Sequence, residues 1–386
     1  MRNNIKLLYK KIALYKVIGP IARRLAPYAK KILYPNSNNN AINQIHKVDL
    51  PNHDYYSHLY EKFDTDKPIA IYVPRWRGVA MSTQSLFEQC LQIPQEMDGH
   101  PDAVTGEHIE QYAEIILASG GRHFVISGGS LFNILILHRV LQRDPSIRFD
   151  LLWHSNYLYM SDAQDWNILK HWLYELVDGN VHRIGVVKEG LENWFQGLGI
   201  DAVHIPNIVP IDTQKLKSTE IDDQVGIWLS HHRKEPYAML MATKMLPGVM
   251  LNASGLDDIG MQIISNLNIP FRHVYRQAIP RVTLEKEMKA TGLTLYVTLS
   301  ECSPMLPLES FALGIPCLVG PASHIFRDHE ELRNRLVVEK PLSPEEIADK
   351  ARAALYDQHH IVDLFKHEFY PALKQQVDER MERFIQ

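Results

Sequence analysis

Cysteine is scarce: Cys90, Cys302 and Cys317 are the only ones in 386 residues, no two are spaced as CxxC, and an odd number cannot all pair within one chain. A disulfide framework is excluded, and a reducing compartment, the cytoplasm, is the expected setting. The 19 histidines form no HExxH and join no Cys/His cluster, so no zinc site is expected and no cofactor is called for. No apolar run approaches the roughly 20 residues of a membrane span, and the stretch from Val17 to Ala22 is too short and Pro-broken for a secretory signal core. The net charge of −4 gives no general affinity for nucleic acid. Internal repeats at a period of roughly 20–50 residues are missing as well.

Acids are absent from the start of the chain. Arg2, Lys6, Lys10, Lys11, Lys16, Arg23, Arg24, Lys30, Lys31 and Lys47 all precede the first acid, Asp49. Between these cations Ile5, Leu8, Ile12 and Tyr15, then Ile21, Leu25, Tyr28 and Ile32, recur at helical spacing on either side of Pro20, which reads as a cationic amphipathic helix pair. Such a segment suits an anionic membrane surface, with residues 1–33 lying in the interface and the protein peripheral on the inner face of the cytoplasmic membrane. The bland alternative is a helix pair packed on the protein's own surface. The polar stretch Pro35 to Asn40 then reads as a linker, and a first boundary falls near residue 48.

Beyond residue 48 strand and helix patterns alternate. Strands are expected over Ile69–Val73, Phe124–Ser127, Phe149–Trp153, 183–187 and Ala202–Ile205, and helices over Thr83–Leu91, His108–Ala118, Leu131–Leu141 and 189–197. After Pro206-Asn207-Ile208-Val209-Pro210, a natural hinge, a second series begins. Its strands are expected at Val225–Leu229, 248–251, 272–275, 293–299 and Cys317–Val319, with helices at 236–245, 257–266, 281–290 and 344–356. Two alternating series predict an α/β protein of two Rossmann-like, doubly wound domains facing across a cleft, 49–208 and 209–359, with a last helix over 360–386 able to cross back onto the first.

The densest chemistry runs from Thr298 to Gly320. A buried strand leads into a loop carrying Glu301, Pro307 suits a helix start, Gly314 its left-handed end, and Pro316 stops continuation. Glu309 is thereby placed in the first helical turn. Two carboxylates beside one helix N-terminus suit a nucleotide sugar, because the diphosphate seeks backbone N–H groups while ribose and hexose hydroxyls need fixed acceptors. Each Glu alone also reads as a helix-start carboxylate or a solvated loop residue.

This segment resembles the retaining GT-B glycosyltransferases of family four, marked by two glutamates with seven residues between them, then a helix and Gly-x-Pro. Glu301 and Glu309 have that spacing, and Leu308 to Pro316 matches the tail. The resemblance implies a nucleotide-diphosphate sugar as donor substrate and retention of configuration; no metal is expected, because fixed positive charge and the helix end can replace one. Glu301 would hold the donor sugar, Glu309 the ribose, and Ser303, Met305, Leu306 and Leu308 the rest of the donor side. Where the family commonly has Gly-Phe-Gly, this chain has Cys302-Ser303-Pro304, and Pro304 offers no N–H. Arg233 and Lys234 come after the first strand of the second series, where the family neutralises the diphosphate; an exposed basic turn is the alternative. His154 ends a buried strand where a His faces the sugar, though a lone His there is often structural. Arg75, Arg77 and Gly78, with Gly128 and Gly129, lie in loops after strands on the acceptor side.

Asp64-Thr65-Asp66 has the form of a metal-binding DxD but precedes the first strand, on the wrong sheet edge, and reads as a solvated loop; Lys244 reads as a solvated helix residue and Cys302 as small packing. The expected function is transfer of a sugar to a saccharide or lipid-linked acceptor in bacterial surface polysaccharide assembly, such as O-antigen, lipopolysaccharide or capsule. A nucleotide-sugar epimerase of the same fold and a non-catalytic sugar-nucleotide or polysaccharide-binding protein are the alternatives. Donor base and sugar, acceptor, linkage and oligomeric state stay open.

Overall fold

The computed structural model describes residues 63–73, 77–92, 106–156, 163–229, 234 and 236–386. The cationic segment, the polar stretch after it, Arg75 and Arg233 lie outside these residues. The first half alternates β1 (Ile69–Tyr72), α1 (Arg77–Leu86), β2 (Cys90–Gln92), α2 (Gly106–Ala118), β3 (His123–Ser127), α3 (Leu131–Arg143), β4 (Arg148–Trp153), α4 (Ala163–Asp178), β5 (Ile184–Val186), α5 (Leu191–Gly197) and β6 (Ala202–His204). Its six strands form one parallel sheet in the order β2-β1-β3-β4-β5-β6. The second half continues with β7 (Gln224–Trp228), α6 (Tyr237–Lys244), β8 (Met250–Ser254), α7 (Asp258–Asn266), β9 (Phe271–Tyr275), α8 (Arg281–Met288), β10 (Leu293–Tyr296), α9 (Met305–Ala312) and β11 (Cys317–Val319). These strands make a second parallel sheet, β11-β10-β7-β8-β9. Helices α10 (Glu330–Leu336), α11 (Pro344–Tyr356), α12 (Gln358–Leu364) and α13 (Tyr370–Ile385) complete the described chain.

Strands such as Ile69–Tyr72 and Leu293–Tyr296 are buried at every residue, because helices cover both faces of each parallel sheet. Local signals set several helix starts. Ser130 and Asn133 form a capping box at α3, Asp257 accepts the Gly260 N–H at 2.8 Å to open α7, and Ser343 with Pro344 opens α11. Helix α9 stops at Gly314, whose φ of 76° is left-handed; a Cβ there would lie 1.7 Å from the Lys217 carbonyl oxygen, so only glycine fits.

One core lies against the first sheet, around Phe124, Phe149, Trp172 and Phe195, and another fills the second half around Leu240, Leu295, Phe311 and Phe365. The opposite face of the first sheet is covered by Phe87 and by Phe384 from the far end of α13, packed with Ala70, Val125, Leu152 and Val203. The C-terminus is also tied to that sheet by polar contacts. Arg148 Nη1 donates to the Gln386 carbonyl at 2.9 Å, and Arg183 Nη1 to that of Phe384 at 3.2 Å.

Several elements differ from expectation. The helix expected over Thr83–Leu91 runs over Arg77–Leu86, and Cys90–Gln92 is an edge strand held by its ladder to Ala70–Tyr72, a run too short to show any period. Helices α4 and α10 are additional to the expected elements. Strand β8 begins at Met250 and reaches Ser254, and β10 stops at Tyr296. Most relevant to function, α9 begins at Met305 with Pro304 as its cap, so Pro307 is its third residue and Glu309 lies beyond the first turn. A proline is tolerated there because the opening N–H groups of a helix have no intrahelical partner.

Candidate functional site

Strand order locates the site. In the second sheet β8 and β9 extend from β7 on one side, while β10 and β11 extend on the other, so the chain reverses direction between β7 and β10. The corresponding reversal in the first sheet falls between β1 and β3. Loops leaving the carboxyl ends of strands at such a switch point diverge and leave a crevice. A cavity of about 510 Å³ opens here, lined from the first half by Arg77, Gly78, Met81, His154 and Val187, and from the second by Trp228, Lys234, Arg281, Glu301 and Glu309, among others.

Lys234, in the loop after β7, is bonded through Nζ to Glu301 Oε1, in the loop after β10. Neither side chain sees much solvent, with 12% and 5% of their surfaces exposed, so the two charges compensate each other, and Lys188 adds a further electrostatic attraction to Glu301. Thr298 Oγ1 donates to the same Glu301 oxygen at 2.9 Å, and the Lys234 ammonium stands 5.5 Å from the centre of the Tyr296 ring.

Glu309 has a cation of its own. Arg281, the first residue of α8, approaches Glu309 Oε2 at 2.7 Å and bonds Glu285 at 2.9 Å. Burial pushes the Glu309 carboxyl above its ordinary value, while the Arg281 guanidinium pulls it back toward ionisation. Because Glu309 lies past the first turn of α9, this guanidinium, rather than the helix end, is its positive neighbour.

His154 lines the cleft at the end of β4. Its Nε2 is 2.9 Å from Ser127 Oγ, which is 2.6 Å from Thr83 Oγ1, so three elements fix the ring. Burial lowers the His154 pKa to about 3, leaving a neutral imidazole at physiological pH.

Ser303, Met305 and Leu306 border the cleft as well, whereas Leu308 faces a second, rear cavity of about 200 Å³. Arg77 and Gly78 line the cleft from α1. Gly128 and Gly129 are not among its lining residues: Gly128 adopts a left-handed turn at φ 81°, and a Cβ on Gly129 would strike the Trp172 ring at 2.6 Å, so they shape the β3–α3 turn. Asp64 and Asp66 form a turn before β1 in which Asp64 Oδ1 accepts the Asp66 N–H at 3.1 Å. Lys244 reaches the Asn268 carbonyl at 3.2 Å on the surface.

Arg281, Asn207, Trp228, Ile279 and Tyr296 line the cleft without having been expected there from the sequence. The bracketing of Asn207 by Pro206 and Pro210 is a local signal, but one that indicates only a hinge. For Arg281 the sequence holds no signal, since nothing local couples it to Glu309.

No protein-family profile and no curated protein matches the sequence. Solved structures do match in shape. TarM of S. aureus superposes with a TM-score of 0.51 at 13% identity over 68% of this chain and 54% of its own. Sucrose-phosphate synthase of Thermosynechococcus elongatus gives 0.54 at 14%, over 83% and 95%. HepE of Anabaena, solved with UDP and glucose, gives 0.56 at 11%, over 82% and 99%. The chain spans about half the length of TarM. The fold these structures share with this chain is GT-B: two parallel α/β halves facing across a cleft.

Proposed function

We propose that this chain is a glycosyltransferase that uses a nucleoside-diphosphate sugar as donor. The observation that carries the reading is the pairing of two buried carboxylates with two cations, Lys234–Glu301 and Arg281–Glu309, at the β7/β10 switch point beside the start of α9. It is supported by the GT-B fold and by UDP in the HepE and TarM complexes.

In this reading Glu309 accepts the ribose hydroxyls and Glu301 those of the donor sugar. Lys234, together with Arg233, takes the charge that develops on the departing diphosphate. Neutral His154 accepts or donates hydrogen bonds at the reacting face without adding charge to it. Fixed cations and helix N–H groups do this without a metal or cofactor.

The finer reading is transfer with retention to a saccharide or lipid-linked saccharide in bacterial surface polysaccharide assembly. Residues 49–208 form the acceptor side and 209–359 the donor side, and residues 1–33 hold the enzyme to anionic lipid on the cytoplasmic face.

A thermal-shift panel of nucleotide sugars tests the donor, because a true donor stabilises the fold by mass action. Product analysis then decides the reaction. An elongated acceptor with the donor's anomeric configuration is expected; an isomerised donor would instead mean an epimerase, and binding without turnover a binding protein. Sedimentation of a 1–33 deletion with anionic vesicles would rule out the membrane role.

A further inference from the structure

The loop after β10 has an unusual problem. Pro304 and Pro307 carry no N–H, so the start of α9 leaves Met305 and Leu306 to present the N–H groups that are free of helix bonding. A diphosphate arriving at this helix end meets a thinner set of backbone donors than an ordinary helix start supplies.

Ser303 stands directly before this gap and borders both the cleft and the rear cavity. Asn207 holds it on two atoms. The Asn207 backbone N–H donates to Ser303 Oγ at 3.0 Å, and its Nδ2 donates to the Ser303 carbonyl. The remaining Asn207 oxygen accepts from Ser82 Oγ at 2.6 Å, so α1, the 206–210 crossing and the Glu301 loop meet on one side chain. Asn207 is 5% exposed, and a buried amide with its groups engaged this way has a fixed orientation.

We propose that Asn207 is a positioning residue for the nucleotide site: it pins Ser303 so that the Ser303 hydroxyl supplies the hydrogen-bond donor that Pro304 cannot. The inference rests on the nucleotide-sugar reading of the cleft. A serine hydroxyl has one proton and two lone pairs. With one lone pair occupied by the Asn207 N–H, the hydroxyl keeps its proton to give, and the anchored carbonyl holds the backbone from which it points. The probe is therefore the anionic end of a nucleoside diphosphate, not the sugar.

The test is calorimetric titration of the full chain with uridine, adenosine, guanosine, cytidine and thymidine diphosphates, followed by variants with whichever binds. Asn207→Ala and Ser303→Ala are each expected to weaken binding about tenfold, as for one hydrogen bond to a charged group. Asn207→Ala placed on Ser303→Ala is expected to add nothing, because its effect passes through the hydroxyl. A loss that adds in the double variant would show that Asn207 merely holds the fold, and unchanged affinity in Asn207→Ala would equally overturn the inference. Should Asn207→Ala fail to fold, Asn207→Asp keeps the oxygen for Ser82 and the backbone N–H while losing the bond to the Ser303 carbonyl, and undiminished binding by it would count against the proposal. If the wild type binds no diphosphate of the full panel, the proposed function falls and takes this inference with it; if it binds and only the variants behave otherwise, the inference falls alone.

Discussion

Arg281 Nη1 lies 2.7 Å from Glu309 Oε2 at the edge of the cleft, and the two partners are unequal: Glu309 is 6% exposed and Arg281 40%. Removing one is therefore not equivalent to removing the other. With Glu309→Ala, Arg281 keeps Glu285 and solvent, so the fold persists while nucleotide affinity falls by at least about tenfold. With Arg281→Ala, a buried carboxylate loses its cation, and a destabilisation of about 3 kcal/mol at neutral pH is expected. Urea unfolding and calorimetry of both variants check the asymmetry, and equal stabilities would refute it.

The same pair sets a pH dependence. Burial raises the Glu309 pKa above its ordinary 4.5, and the ionised carboxylate is the form that accepts ribose hydroxyls. Nucleotide binding is expected to weaken as pH falls through this raised value. Because Arg281 opposes the shift, Arg281→Ala should move the midpoint to higher pH, not lower. For stability the sign is opposite: a carboxyl favoured in its neutral form is least costly to the fold in acid, so the deficit of Arg281→Ala should shrink as pH drops toward 4.5. Titration of affinity against pH in both proteins reads the shift.

Lys234 and Glu301 are a more tightly buried pair. Lys234→Met leaves the Glu301 charge with the Thr298 hydroxyl and the electrostatic attraction of Lys188 in place of a bonded ammonium, which costs about 3 kcal/mol. Adding Glu301→Gln should recover most of that stability, since no lone charge is then left, yet transfer should stay at least about 100-fold below wild type. Recovery of activity along with stability would show that the pair is only structural.

His154 and His204 supply an acid limit. Burial lowers both to about 3, with Arg380 adding to the effect at His204. Below the ordinary 6.5 the unfolded chain takes up protons that the folded one refuses, so stability should fall as pH drops from 6.5 toward 3. His154→Gln should flatten that slope in urea midpoints taken across the range.

Phe384 tests the return of the C-terminus. It is 0% exposed and sits among Ala70, Val125, Leu152 and Val203 on the first sheet, so Phe384→Ala should cost about 3–5 kcal/mol. A loss under about 1 kcal/mol in chemical unfolding would contradict that burial.

Much of this arrangement is legible locally. Apolar runs such as Ile69–Tyr72 and Phe124–Ser127, alternating with helical spacing, announce two parallel α/β halves, and Gly314 with Pro316 closes α9 where expected. The Glu301 loop and Lys234 come after strands, and their place in one cleft is set by strand order. The start of α9 differs from expectation by two residues because Pro307 and Pro304 are both acceptable near a helix opening, and only the packed backbone chooses between them. Helix α4 does carry a local signal, with Trp166, Leu169, Trp172, Leu173 and Leu176 at helical spacing between two recognisable strands, whereas β2 blends into a helical pattern because three residues show no period.

Side-chain type and spacing thus determined by themselves what depends on near neighbours: which segments are strands, which are helices, where glycine and proline end them, and that two glutamates share one loop and helix. The tertiary structure decided which cation each glutamate meets. Lys234 reaches Glu301 only because β7 lies beside β10, and Arg281 reaches Glu309 only because α8 and α9 border one crevice. Asn207 meets Ser303 only where the two halves touch. Local preference acts over a few residues of chain, whereas a pairing of buried charges is selected by the whole fold, which must either bring a partner to each charge or pay for its desolvation.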